Sequence, residues 1–455
     1  MGCELEYVAA IVRYFFPCYG GFRGLQMSKK WTNWAGNQSS HPQAWIRPQN
    51  IAEIVAVVKD ANAQGRRVKV IGSGHSFTAA AVAQDVLIEM THMTRVLAGP
   101  DENGIVEVEA GMALSAVNEY LFHQGRALEN LGDIAYQTIA GAISTGTHGT
   151  GENIGGLAQQ VVGLTLVDGV GNTVVIDENN PLLHFVRVGV GAVGIIAHVK
   201  IRTVPKFALH VKEKPMPLSY VLENLEDLAS RNDHFEFFWI PHTKWALTKR
   251  NNRTELPLQP LPPFKKWWQK SFMENTAFGL VCQLGKLFPG LVPRLATALP
   301  GSGSTSYVDE SFRVFASERR VKFVEMEYAI PREHCREAVE DIERVIAEKN
   351  YMVSFPVEVR LTAPDDNVLS TAYARQSAYI AVHMFKGCDY LPYFSSVAEI
   401  MAKYSGRPHW GKMHFLTHEE LSVLYPRWNE FLEVRDQLDP TRTFHNGYLE
   451  QVFGK

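Results

Sequence analysis

The chain is poor in cysteine, with five in 455 residues, an odd number that includes no CxxC pair and no metal-ligand spacing. This excludes a disulfide framework and a structural zinc site, and it fits a reducing, cytoplasmic compartment. An apolar run long enough to cross a membrane is also absent. The stretch from Tyr7 to Phe16 is broken by Arg13 and is too short, so no transmembrane segment is expected. Neither sign of charge dominates: the net charge is −3 at pH 7, and without a basic helix or aromatic–basic pattern nucleic acid is excluded as a partner. Met1-Gly2 hints at N-myristoylation, but Glu6 stands where serine or threonine is required. Residues 1–27 therefore read as an extension outside the fold, with Met27 as the natural start. The alternative is an interfacial anchor that holds the protein peripherally on a membrane.

What is present is apolar content of 46%, enough for two cored domains, and two glycine-rich segments. Ile71-Gly72-Ser73-Gly74-His75-Ser76-Phe77 follows a short apolar strand. Its glycines let backbone N–H groups approach a pyrophosphate, and its histidine can reach an isoalloxazine ring. An ordinary tight turn has the same composition. The second segment, Thr138 to Gly151, is nearly free of large side chains and rich in hydroxyls, which suits an extended cofactor. It lies between apolar segments, where a free linker would carry more charge.

Asn50 and Glu53 resemble a capping box ahead of helically spaced Ile51, Ile54, Val55 and Val58, and Gly65 ends that helix. Strands are expected at Arg67 to Ile71, Val86 to Met90 and Gly104 to Ala110, with a hairpin around Asp168-Gly169. This α+β order departs from a Rossmann unit, because no third glycine and no βαβ crossover follow Gly74. Beyond Pro205, aromatic-rich strands at His234 to Ile240, Lys322 to Ala329, Tyr351 to Leu361 and Tyr379 to Phe385 predict a second sheet. Pro257 to Phe272 has the aromatic and basic content of a membrane contact, but its prolines break the helix such a contact prefers, which favours an excursion over the protein surface. The expected divisions are 1–27, 28–207, 208–415 and a returning segment 416–455.

Chemistry is expected in the second sheet. Period two puts Glu358 and Arg360 on one strand face, opposite Val357, Val359 and Leu361. A structural ion pair would have the same pattern. Downstream, Arg407-Pro408-His409-Trp410-Gly411-Lys412 adds a cation beside a turn glycine.

These motifs, in this order and spacing from Trp31 to the C-terminus, resemble the aldonolactone oxidoreductases of the vanillyl-alcohol-oxidase flavoprotein superfamily. The resemblance implies an α+β fold: a two-subdomain FAD-binding domain plus a mixed-sheet substrate domain. It implies FAD held by Gly72, Ser73, Gly74, His75, Ser76, Phe77, Thr138, Gly141, Thr145, Gly146, Thr147 and His148. Gly194, Ile196 and Asn446 join that set, and the flavin is bonded covalently to His75. It implies Glu358, Arg360 and Lys412 as catalytic residues, Lys412 as a base only with a lowered pKa. Asp133, His383, Phe385 and His409 would meet a small sugar lactone, L-gulono- or D-arabinono-1,4-lactone. Oxygen or another acceptor would take the electrons; Gly132 leaves a path for oxygen. An alditol oxidase of the same fold and a non-catalytic flavin subunit remain as alternatives, with Asp133 and Phe385 favouring a flat lactone ring over an open polyol.

Overall fold

The computed structural model describes residues 29–299 and 301–454; the expectations for residues 1–27 lie outside them. The first domain opens with a three-stranded parallel sheet, in the order Ala44–Ile46, Val86–Glu89, Val68–Ile71. Helix Ile51–Ala63 packs Ile54, Val57, Val58 and Ala61 into the core beside it. Asn50 caps it by accepting the Glu53 N–H at 3.0 Å, and the Glu53 carboxylate accepts from Gln49 N at 2.9 Å. Strand Val68–Ile71 delivers the chain into the Gly72–Phe77 turn.

A five-stranded antiparallel sheet follows, in the order Thr173–Ile176, Val161–Val167, Ile195–Arg202, Ile105–Glu109, Val96–Ala98. The hairpin forms where expected, with Asp168 accepting from Val170 N and Asn172 N in the turn. The last stretch of chain shares this domain's core: Trp410, Leu421, Trp428, Phe431 and Phe453 pack with Val106, Val108, Leu164 and Leu166. Val68 N also donates to Thr443 O at 2.8 Å.

The second domain is an eight-stranded sheet, in the order Thr305–Glu310, Ala208–Pro217, Trp245–Thr254, His234–Trp239, Val357–Thr362, Ser377–Phe385, Phe323–Pro331, Arg407–Pro408. A mixed sheet was expected, but its strands pair antiparallel throughout. The reason is a split crossover used twice. Helix Cys335–Glu348 joins two parallel strands that leave room for Ser377–Phe385 between them, and helices Leu218–Glu223 and Leu225–Ser230 do the same around Trp245–Thr254. Those helices, with Leu391–Lys403, cover one face, where Val357, Val359, Leu361, Met326 and Ile380 are buried. The strand carrying Glu358 spans Val357–Thr362, shorter than the expected Tyr351 to Leu361.

Between Trp245–Thr254 and Thr305–Glu310 the chain makes an unbroken helical run, Pro263–Lys266, Trp267–Ala277 and Phe278–Leu287, of which the middle part is a π-helix. The prolines were expected to break this helix. Instead they begin it, because Pro262 is the N-cap and Pro263 the first helical residue, where a missing N–H costs nothing.

Candidate active site

Period two determines what the second sheet shows to the first domain. With the odd-numbered side chains of Val357–Thr362 buried under helices, Glu358 and Arg360 point the other way. The antiparallel register sets Arg360 beside Glu236 and Tyr379, and Glu325 beside His383. Glu327 follows Glu325 on the same face. All of these residues except Tyr379 line one cavity of about 1730 Å³ between the domains, together with His75, Ser76, Phe77, Asp133, Thr145, Thr147, His148, His409 and Lys412.

Arg360 is shared among three acids. Its Nε donates to Glu236 at 2.8 Å and its Nη2 to Glu358 at 2.7 Å, and it is paired with Asp133, which also holds Arg319. Lys249 lies 3.5 Å from Glu236. Burial lowers Arg360 to about 9. Burial, and then the neighbouring Glu236 carboxylate, pushes Glu358 up to about 8, so this acid holds its proton well above the usual carboxylate range. The stability consequence has a definite sign. Between about pH 4.5 and 8 the unfolded chain ionises this group and the folded chain does not, so its contribution is present below 4.5 and lost as pH rises through 8. Glu358→Gln should therefore lose less melting temperature than the wild type across that window, as calorimetry at stepped pH would register.

Lys412 is anchored by Glu325, with Nζ to Oε2 at 2.5 Å, and sits 5.5 Å over the Phe77 ring. The other Glu325 oxygen faces His383 Nε2 at 3.4 Å, and His383 Nδ1 donates to Pro356 O at 3.1 Å. Burial alone would raise the Glu325 carboxyl, but Lys412 and His383 hold it well below the usual carboxylate range. On the adjacent position, Glu327 meets His148 Nε2 at 3.1 Å, while His148 Nδ1 donates to Gly149 O. His409 accepts the Gly411 N–H on Nδ1 and is lowered to about 4 by burial, against the pull of Glu327, so it is neutral.

The Gly72–Phe77 turn is fixed from both sides. Trp34 N donates to Gly74 O at 2.8 Å, Asn33 Nδ2 to Ser76 O at 2.9 Å, and Phe77 N to Gly411 O at 2.7 Å. Gly74 has φ +68, a conformation that a side chain would strain. His75 is thereby set between two rings, Trp34 at 5.6 Å and Tyr136 at 6.4 Å. Burial, and then Lys412, lowers it to about 4, leaving a neutral imidazole with a free electron pair. Asn118 and Gln137 bring to the same cavity a buried amide nitrogen and a buried amide oxygen that have no partner among the described residues. Unsatisfied buried groups of this kind call for a polar ligand. Together with the volume, which exceeds that of an ordinary small-molecule site, they fit a dinucleotide-sized cofactor and a substrate.

Several expected positions lie elsewhere. Phe385, at the end of its strand, lines a separate cleft with Lys386 and stacks on Phe355 at 6.5 Å, so it is no wall for a substrate in the main cavity. Asn446 caps helix Gly447–Phe453 and donates to Ala79 O and Val82 O, both at 2.9 Å. Asn446→Ala should cost roughly 1–2 kcal/mol of stability without loss of bound flavin, measurable by thermal unfolding. Gly194 and Ile196 lie against Leu166 and Val167 and do not line the cavity. A Cβ on Gly72 would meet Thr138 Oγ1 at 2.3 Å, so this glycine makes room for a side chain. Thr138 itself caps helix Ile139–Ser144, and Ser73 donates to Tyr136 O; like Gly141 and Gly146, they support the turn and loop without lining the cavity. At Gly132 a Cβ would approach Thr147 Cγ2 to 3.0 Å, so this backbone is already closely packed.

Sequence reasoning missed Trp34, Tyr136, Glu236, Arg319, Glu325 and Glu327. Three of them had a signal: Phe323–Pro331 alternates Glu325 and Glu327 with Val324, Met326 and Tyr328, and Glu236 is flanked by aromatics in His234–Trp239. Acids repeated at period two in an apolar strand mark a buried polar face.

Residues 42–177 match the family described as FAD binding domain, and residues 199–452 the family described as D-arabinono-1,4-lactone oxidase. The L-gulono-1,4-lactone dehydrogenase of Mycobacterium tuberculosis is 43% identical over 94% of this chain and 100% of its own length. The L-gulonolactone oxidase of Bos taurus is 33% identical over 95% of this chain and 99% of its own. Among solved structures, cholesterol oxidase from B. sterolicum superposes with TM-score 0.81 at 16% identity, covering 96% of this chain and 99% of the other, a likeness of fold. With an FAD-binding domain in front and the second match spanning more than half its length, the chain belongs to the D-arabinono-1,4-lactone oxidase family.

Proposed function

We propose that the protein oxidises a CH–OH group of a sugar-derived aldono-1,4-lactone, L-gulono- or D-arabinono-1,4-lactone, to an ascorbate-type product, and passes the electrons to oxygen or another acceptor. The observation that carries this reading is that Arg360 and Lys412 line the same cavity as the His75 turn. Bound FAD supplies the hydride acceptor. His75, Ser76, Phe77, Thr145, Thr147 and His148 would hold it, with Asn118 and Gln137 adding amide partners.

Arg360 and Lys412 would donate hydrogen bonds to substrate oxygens and stabilise the negative charge that develops on them. Glu358 and Glu236 fix the plane of the guanidinium, and Glu325 fixes the ammonium; this positioning is itself a large part of the rate. The Glu325 contact makes Lys412 an electrostatic donor first. Asp133, bound to two arginines, now bears the preference for a lactone over a polyol without help from Phe385.

His75 would form the covalent bond to flavin, since its neutral ring presents a nucleophilic nitrogen between two aromatic walls. Acid precipitation tests this. The wild-type pellet should stay yellow and the His75→Ala pellet should be colourless; colour released from the wild type would remove the covalent bond from the scheme.

A further inference from the structure

The helical run between Pro263 and Leu287 carries features that the lactone reaction does not use. Residues 256–299 contain five lysines and arginines and one acid, Glu274. Their large apolar side chains stand in solvent: Phe264 is 74% exposed, Trp267 51%, Leu280 61% and Leu287 61%. Leu280, Leu284 and Leu287 share one helix face by their spacing. Phe264, Trp267, Trp268 and Phe272 form a contiguous ring cluster, with centroids 6.0 Å apart for Phe264–Trp267 and 4.8 Å for Trp268–Phe272. Soluble monomers rarely leave such a patch uncovered without a use for it.

Beside the same helix is a second cleft of about 580 Å³, lined among the described residues by Lys286, Arg320, Lys322 and Lys386 and by no acid. Arg320 is paired with Glu318 at 2.7 Å, which leaves three lysines to set the sign of the cleft. We infer that this face is a docking surface for an anionic lipid bilayer, on which the Phe, Trp and Leu side chains enter the headgroup boundary and the lysine cleft meets lipid phosphates. Charge complementarity selects this occupant over a second copy of the chain, whose lysines would repel these. Among the described residues no helix is long and apolar enough to cross a membrane, so the run lies on the surface. Trp267, Trp268 and Met273 are exposed and also line the main cavity, so docking holds part of the cavity's rim at the bilayer.

The inference stands apart from the lactone reading and is tested on the holoenzyme. It is sedimented with vesicles of phosphatidylcholine, with and without phosphatidylglycerol, while lactone-dependent reduction of a soluble dye is read on the same samples. Wild type should partition onto the anionic vesicles. Partitioning should fall about tenfold on neutral vesicles, in the Phe264→Ser/Leu280→Ser/Leu287→Ser variant, and in Lys286→Glu/Lys386→Glu, with dye reduction unchanged in each. Wild type that ignores anionic vesicles would overturn the inference. So would apolar and charge variants that bind like wild type, or an apolar variant whose only change is from dimer to monomer. If the apolar variant does not fold, the charge variant decides alone. Dye reduction absent from the wild type would count against the lactone reaction and leave the lipid result to stand.

Discussion

Arg360→Ala is expected to lower lactone turnover by a factor on the order of a hundred or more and to destabilise the fold at the same time. The guanidinium is a donor to developing negative charge, and it is also the shared cation of Asp133, Glu236 and Glu358. Removing it takes away the cation these acids share and leaves Asp133 with Arg319 and Glu236 with Lys249, a loss that should stay below the roughly 3–5 kcal/mol of a buried pair broken on one side. Arg360→Lys should recover little of either, because a single ammonium cannot span acids that the fork reaches through Nε and Nη2. Turnover corrected for flavin content, together with a thermal unfolding curve, separates the two effects. Unchanged turnover in a folded Arg360→Ala protein would remove this residue from the chemistry.

Lys412→Ala should lose turnover by about a hundredfold or more, with less effect on stability, since Lys412 is partly exposed and Glu325 keeps His383 as a neighbour. Glu325→Gln supplies the contrast. It keeps an oxygen facing Lys412 and should cost less in turnover, but it should alter the pH profile, because the carboxylate that orients the ammonium is gone. Equal, complete loss in both variants would mean that the pair acts as a single structural unit.

The parts of the site that are local in sequence were legible, and the parts made by long-range pairing were not. Alternation along Val357–Thr362 was enough to put Glu358 and Arg360 on one face. Glu236, which accepts from Arg360 Nε, lies 124 residues away, and only the sheet register brings it there. The family resemblance puts Phe385 at the substrate, yet its strand runs past the edge of the cavity and Phe385 lines a separate cleft. Gly72 reads in sequence as a phosphate contact and in space is the gap that Thr138 fills. The prolines at 262 and 263 show the same limit, since the residue that breaks a helix interior also begins a helix well. The antiparallel order of the larger sheet followed from two split crossovers that no local pattern announces.

The most direct measurement is anaerobic mixing of the purified yellow protein with L-gulono-1,4-lactone, D-arabinono-1,4-lactone and xylitol while flavin absorbance is followed. One of the two lactones should bleach the flavin fastest. Flavin that stays oxidised with both lactones, or that xylitol bleaches first, would contradict an aldonolactone oxidoreductase.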